Sequence, residues 1–567
     1  MTLVLVLLLL LLLLDVISSI VINRLHANDN INVSNCSNSI IPISNVRHAI
    51  QTADRNLYLS LNHDWLDSLL ISNKRINIQC ITINQLQQKK TFKNDININD
   101  VHEDNEVIEI YYVPMNNSTN LQVTSYTSGP IDTFLMYNPC WIVLQEPDLF
   151  DDDEMIDKRI KHRLRNKPLI FVKLPTYGYG PTCKLFTHLT NRQFPDKCPD
   201  KGSLYYHFVQ NYGFGGEVNK LVKTFLFNLY SSSSRVYAQT RHEGYEWLWA
   251  NSDRISKYPC PSNMYQENPL ACSFIPLSGC SVGDRKQPDT DWVEFEIIKF
   301  DDEKHLTLKH LGIDVNVLKK FRDGPGPFLK YYDDSKVFSA HLWVTLRIYA
   351  YVLRPNYRTR ALIRKASKRI KTLTSNGLSK HSHVNHHIRL STKDLQQCIG
   401  IHVRNHDVLS DYRNAVKLDR SLNAHIHAVK LLSLELSMDE LFLATDNSTL
   451  YTIAPIEYPE FKWQAQIRTI KHQYAAALTH LNEDEPQIEL ANLLTDALHI
   501  SKCNGLVGQS DSSLTFLYQV YNCNGMVRSS CSPFLDLLQF QDQGLLPYIG
   551  KQSRPDTIAS FHYPWKI

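Results

Sequence analysis

The chain has 567 residues, enough for two or three domains with a substantial core. Its 60 basic and 57 acidic side chains leave a net charge of +3, too small to mark nucleic acid as the partner. Twelve cysteines with no CxxC spacing suit disulfides in an oxidising compartment and argue against structural zinc or thiol redox chemistry.

In chain order, Leu3–Leu14 is an uninterrupted apolar run, Asp15 breaks it, and Val16–Ile22 resumes it. Together the two runs reach the roughly 20 residues of a membrane span, which makes residues 3–22 a candidate signal-anchor. The first run alone reads as a signal-peptide core, and Asp15, at roughly 3 kcal/mol in mid-membrane, favours cleavage. Both readings of residues 1–25 send the rest of the chain into the secretory pathway, and both stay open. Sequons at Asn32, Asn35, Asn116, Asn117 and Asn447 agree with that compartment.

Residues 26–164 are expected to be a lumenal stem or flank, since their Asn- and Ser-rich first part lacks clear periodicity. Within them Asp151 and Asp153 offer a carboxylate pair for a divalent cation, although charged neighbours and no clear strand before them fit a solvated helix start or loop better. Leu169–Leu174 reads as a strand opening a first α/β domain over 165–355. Gly213, Gly215 and Gly216 form a turn leading into a helix with Val218, Leu221, Val222, Phe225 and Leu226 on one face. Such a turn lets backbone N–H groups approach a phosphate, and it also serves ordinary chain reversal. Val236–Ala238 continues as a strand, and Tyr245, Trp247 and Trp249 supply aromatic surface for a ligand or the core. Cys198 is expected to pair with Cys260, and Cys272 with Cys280. Ala340–Leu353 reads as an amphipathic helix ending at Arg354-Pro355-Asn356. Residues 356–395 then read as a basic linker, its arginines and lysines on a solvated face, with a Ser-rich loop carrying His381, His383, His386 and His387.

The most informative segment opens the next domain, 396–530. Ile399, Gly400, Ile401 and Val403 form an apolar strand that runs into His402, Arg404, His406 and Asp407. In open α/β sheets ligands bind where strands end, and an Arg there pairs with phosphate oxygens bidentately. An interdomain salt bridge is the competing reading of the same residues. A second strand, Glu440–Asn447, ends in Thr-Asp-Asn. The helix Gln487–Ser501 follows with Asp496 on the flank of its leucine stripe. A short strand, Gly505–Gly508, then leads through Gln509–Ser513 into another helix. Ser512 is a candidate cap for that helix, whose N-terminus suits an anion. The domain reads as Rossmann-like, and residues 531–567 as a tail.

Gly213–Phe227, His402–Asp407, Leu443–Asn447, Asp496 and Leu506–Ser513 occur in an order and spacing that resembles α1,6-fucosyltransferase-like enzymes, glycosyltransferase family 23, kin to the nodulation and protein O-fucosyltransferases. The resemblance spans roughly residues 169–522. It implies two α/β domains of GT-B type, GDP-fucose as donor, a glycan or glycoprotein as acceptor, inversion of the anomeric centre, and neither metal nor cofactor. By position it implies His402 and Asp496 on guanine, Arg404 on the β-phosphate, and Gly213, Gly215 and Gly216 on the pyrophosphate. Tyr245 falls to the ribose, Ser512 to the helix facing the phosphates, and Asp407 and Asp446 to orienting the site. Asp411 is the candidate base. The chain departs from the pattern at Asn405 and Val408, where a second Arg and a Lys are expected, and its tail is too short for an SH3-like domain. Those departures keep a catalytically silent binding protein of the same fold as one alternative, and the Asp151 and Asp153 pair keeps a metal-dependent UDP-sugar transferase as another. The compartment implied is the Golgi lumen.

Overall fold

A computed structural model describes residues 76–80, 108–113, 130–145, 169–173, 176–195, 203–208, 214–230, 235–240, 269–279, 338–374, 377–378, 398–404, 420–468, 485–501, 503–509, 512–522 and 534–537. The N-terminal apolar run, the Asp151–Asp153 pair and the histidine-bearing loop lie outside these residues. Among the described residues no helix is long and apolar enough to cross a membrane.

The first part of the chain contributes β1 (Ile76–Cys80), β2 (Ile108–Val113), α1 (Pro130–Tyr137), β3 (Trp141–Gln145) and β4 (Leu169–Lys173). The sheet order is β1-β2-β4-β3. β1 and β2 are parallel, whereas β4 runs antiparallel to both its neighbours. Residues 26–164 therefore hold strands and a helix where a stem was expected. Aromatic burial explains it: Tyr111 stacks on Trp141 at 4.1 Å, and Phe134 meets Phe171 edge-on at 5.0 Å. Cys140 is bonded to Cys183 of α2 (Thr176–Gln193). β5 (Ser203–Phe208), α3 (Phe214–Tyr230) and β6 (Arg235–Thr240) follow, with β5 and β6 parallel. The apolar stripe of α3 is buried as its spacing predicts, from Val218 to Leu229. Cys272 is disulfide-bonded, and Cys198, Cys260 and Cys280 lie outside the described residues.

α4 (Phe338–Val352) differs from the amphipathic helix expected. Residues 344–353 are buried all round, with Arg347 among them. The basic segment that follows is solvated only in part: Lys365, Lys368 and Lys371 are exposed, as expected, but two of its arginines are not. It forms α5 (Tyr357–Ser367), capped by Asn356, whose side chain accepts from the Thr359 amide at 3.0 Å. Arg360 and Arg364 are buried. Arg360 pairs with Asp132 of α1 at 3.0 Å, and Asp132 also accepts from the Tyr357 amide. This contact anchors the start of α5 to the first sheet.

The remaining elements are β7 (Ile370–Thr374), β8 (Gly377–Leu378), β9 (Cys398–Val403), α6 (Leu422–Leu436), β10 (Glu440–Thr445), α7 (Leu450–Glu457), β11 (Lys462–Gln466), α8 (Glu485–Ile500), β12 (Gly505–Gly508), α9 (Ser513–Asn522) and β13 (Phe534–Asp536). They build a seven-stranded sheet of order β13-β12-β9-β10-β11-β7-β8. The five strands from β13 to β11 are parallel, and β7 and β8 form an antiparallel edge. Both β7, from the expected linker, and β13, beyond residue 530, thus belong to this sheet.

Alternation along β9 shows that helices cover both faces. Ile399, Ile401 and Val403 share a core with Leu422, Ile426 and Val429 of α6 and with Leu450 and Ala454 of α7. On the other face Gly400 lies under Ile500 of α8, and His402 meets Thr515 of α9. Strands covered on both sides are apolar throughout, which is why β9 and β12 are buried at every position. The Cys398–Cys503 disulfide ties the amino end of β9 to the approach to β12.

Candidate functional site

After β9 the chain moves outward through β10 and β11, then crosses back to place β12 on the other side of β9. The strand order therefore reverses between β9 and β12, and ligands of such sheets bind outside the carboxyl ends of strands at this reversal. The residues at those ends are His402 and Arg404 after β9, and Gln509 and Ser512 after β12.

Ser512 is buried and caps α9: its hydroxyl faces the Thr515 amide at 3.5 Å. The same hydroxyl accepts from Arg404 Nη1 at 3.3 Å. A guanidinium and a helix N-terminus thus converge across the reversal point, and both favour an anion. Gly508 lets α9 come this close. A Cβ there would lie 2.6 Å from Thr515 Cγ2.

His402 is 2% exposed, with Nδ1 2.6 Å from the Thr515 hydroxyl and its ring edge-on to Tyr518. Burial, then the nearby Arg404, His425 and Arg468, holds it well below the usual imidazole range, so it stands neutral. Beneath it the His425 ring sits between two carbonyl oxygens, Ser421 at 2.8 Å and His402 at 3.0 Å, joining α6 to the end of β9. At the end of β10, Thr445 donates to the Val403 carbonyl at 2.8 Å and accepts from the Asn447 amide at 3.0 Å. Asp446, half-buried, occupies the bend between them.

Asp496 is 1% exposed on α8 and is engaged from inside the protein. Arg468 Nη2, just after β11, lies 2.7 Å from Oδ2, and the Gln466 carboxamide nitrogen, turned to suit its neighbours, lies 2.9 Å from Oδ1. Arg468 also pairs with Glu489. Burial would draw Arg468 down, but Glu489 and Asp496 hold it well above its ordinary value. Burial pushes the Asp496 carboxyl up to about 6, against the pull of Arg468. Any part for Asp496 in reading a base requires it to share or release one of these partners.

Gly215 and Gly216 lie in the first turn of α3, which packs against α9. Gly213, Tyr245, Asp407 and Asp411 lie outside the described residues, as do Asn405 and Val408. Among the described residues no group of three or more His, Cys, Asp or Glu is placed to hold a metal ion.

Sequence reasoning passed over Arg468, Glu489, Arg420 and Gln509. Two of them carried a signal. Arg468 follows a strand end as Arg404 does, and Glu489, Asn492 and Asp496 form a polar i, i+3, i+7 stripe beside the leucines of α8.

No protein-family model matches the chain, and no curated protein matches it either. Solved structures do. A NodZ α1,6-fucosyltransferase soaked with GDP-fucose aligns at 14% identity over 57% of this chain and 93% of its own, with a TM-score of 0.29. A fucosyltransferase NodZ from Bradyrhizobium aligns at 13% identity over 56% and 92%, TM-score 0.29. POFUT1 in complex with GDP aligns at 11% identity over 60% and 99%, TM-score 0.28. Superpositions this loose do not carry one residue onto another.

Proposed function

We propose that this chain is a lumenal fucosyltransferase that moves fucose from GDP-fucose to a hydroxyl of a glycan or glycoprotein, with inversion and without a metal ion. One observation carries the reading: Arg404 reaches the hydroxyl that caps α9, at the point where the strand order reverses. The motifs around His402, Asp496 and Ser512 that resemble α1,6-fucosyltransferase-like enzymes supply the donor class. The Cys140–Cys183 and Cys398–Cys503 disulfides and the apolar Leu3–Leu14 run support an oxidising, secretory setting.

The chemistry follows from these residue types. As GDP departs, negative charge builds on the β-phosphate and oxocarbenium character on the sugar. Arg404 and the first N–H groups of α9 stabilise that charge in a fixed geometry. Neutral His402 presents hydrogen-bonding capacity without adding a charge. An acceptor hydroxyl then needs a carboxylate base, for which Asp411 stands as the candidate, with Asp407 and Asp446 orienting the groups around it.

Purified protein incubated with GDP-fucose and mixed glycan acceptors in EDTA is expected to transfer fucose. Arg404→Ala should lower the rate by about 10²-fold or more. Equal turnover by the two proteins would overturn the mechanism, and activity with UDP-sugars in place of GDP-fucose would overturn the donor.

A further inference from the structure

Gln509 follows β12 directly and closes the turn into α9, its carbonyl accepting from the Ser512 amide at 3.1 Å. The side chain is 2% exposed, and its oxygen Oε1 accepts from Arg420 Nη1 at 2.8 Å. A guanidinium can only donate, so Arg420 fixes which end of the carboxamide is oxygen. The Nε2 group, carrying two N–H donors, is then directed away from Arg420, and among the described residues it is buried with no hydrogen-bond partner. A buried donor in this state is destabilising, and it calls for an acceptor that the described residues do not provide.

The surroundings name that acceptor. The same turn holds Ser512, to which Arg404 donates, and it opens α9, whose N-terminal N–H groups attract negative charge. Buried Asp536 of β13 pairs in register with Gly508, and an oxygen acceptor drawn to the Arg404 and α9 side of the turn is a phosphate oxygen.

We propose that Gln509 is a further binding residue whose Nε2 donates to a diphosphate oxygen of the bound nucleotide, and that Arg420 is a positioning residue that holds the carboxamide in that orientation. The inference rests on the nucleotide-diphosphate reading of the site. It adds an uncharged donor on the β12 side to the Arg404 contact on the β9 side, so that the diphosphate is held from both flanks of the strand reversal.

The test compares GDP binding by calorimetry with guanosine binding by saturation-transfer NMR, on the full chain. Gln509→Leu is expected to weaken GDP about tenfold and leave guanosine unchanged. It should melt near the wild-type temperature, because an unsatisfied donor is removed together with the acceptor of the partly exposed Arg420. Arg420→Met should weaken GDP about threefold with guanosine unchanged, and Arg420→Lys, which still donates toward Oε1, should recover most of that loss. Gln509→Glu keeps an acceptor for Arg420 but has no donor, and should bind GDP at least tenfold more weakly. Wild-type GDP affinity in either Gln509 variant, or equal loss of GDP and guanosine in both, overturns the proposal. A wild-type protein that binds no GDP overturns the nucleotide reading itself. One that binds GDP while Gln509 proves indifferent overturns this inference alone.

Discussion

Two buried carboxylates, one beneath α5 and one at the carboxyl edge of the large sheet, meet a guanidinium in different company. Asp132 accepts from the Tyr357 amide through both oxygens, at 3.1 and 3.0 Å, and takes Arg360 at 3.0 Å. Arg360 is fully buried and also donates to the Pro355 carbonyl at 2.7 Å. Asp496 shares Arg468 with a second acid, Glu489, and Arg369 adds another guanidinium to the cluster, donating to Asn492 at 2.7 Å. The Asp132 pair draws on backbone groups, the Tyr357 amide and the Pro355 carbonyl, and braces one element on another. The Asp496 cluster divides positive charge between two acids, so its protonation can change with its surroundings. A buried ion pair that only positions helices is finished off by main chain, whereas one beside a ligand site keeps some of its charge adjustable.

The largest expected effect tests the brace. Asp132→Ala strands Arg360 in a dry site and strips the first turn of α5 of an acceptor. Loss of one partner from a buried pair costs about 3–5 kcal/mol. Denaturant unfolding should show a loss in that range, and one below about 1 kcal/mol would dissolve the contrast with Asp496.

The second prediction concerns pH. Asp496 is faced by Arg468 from the segment after β11, Glu489 on its own helix, Arg369 ahead of β7, Tyr451 on α7 and Tyr518 on α9. Its carboxyl is held at about 6 in the folded chain, against 3.8 for the ordinary group. A folded value above the unfolded one contributes stability that is full below about 4 and is lost as pH rises through about 6. Asp496→Asn removes this contribution. Its stability relative to wild type should therefore rise by up to about 3 kcal/mol between pH 4 and pH 7. A difference that stays flat over that interval would place Asp496 in the same class as Asp132.

The two regions were also unequally legible in the sequence. The site could be read because each strand of a doubly covered parallel sheet is a short apolar run that ends abruptly in polar residues, as Cys398–Arg404 does. The leucine stripe of α8 and the serines before α9 were local signals of the same kind. The Asp132 brace was not readable, since the partner that buries Arg360 sits on another helix, 225 residues before the Tyr357 amide it also binds. With no local sign of that partner, a run of arginines reads as a solvated face. β1 failed for another reason. Ile76, Ile78 and Cys80 alternate with polar residues, but over five positions inside a long Asn- and Ile-rich stretch that gives no boundary. The Arg468 cluster lay between these cases. Its polar stripe is visible on α8, but the cation that completes it comes from a different segment.

The smallest effect separates packing from function within the readable region. Gly400 and Gly508 both admit a helix close to the sheet, Gly400 within β9 beneath α8 and Gly508 at the carboxyl end of β12 beneath α9. A methyl group at Gly400 would meet Ile500 Cγ2 at 3.0 Å, on α8 rather than on the helix that opens at the site. At Gly508 it would meet Thr515 Cγ2 at 2.6 Å. Thr515 is fully buried, stiff at χ1, and its hydroxyl holds His402 Nδ1 at 2.6 Å, so it cannot yield without disturbing the first turn of α9. Gly508→Ala should lower stability by about 1–3 kcal/mol and weaken GDP binding as well. Gly400→Ala has a smaller overlap, 3.0 Å against the branch of Ile500 rather than 2.6 Å, and should cost less and leave GDP binding alone. Equal GDP affinity in the two variants would mean that the start of α9 tolerates displacement, and the convergence of Ser512 on Arg404 would then lose its claim to be the anion site.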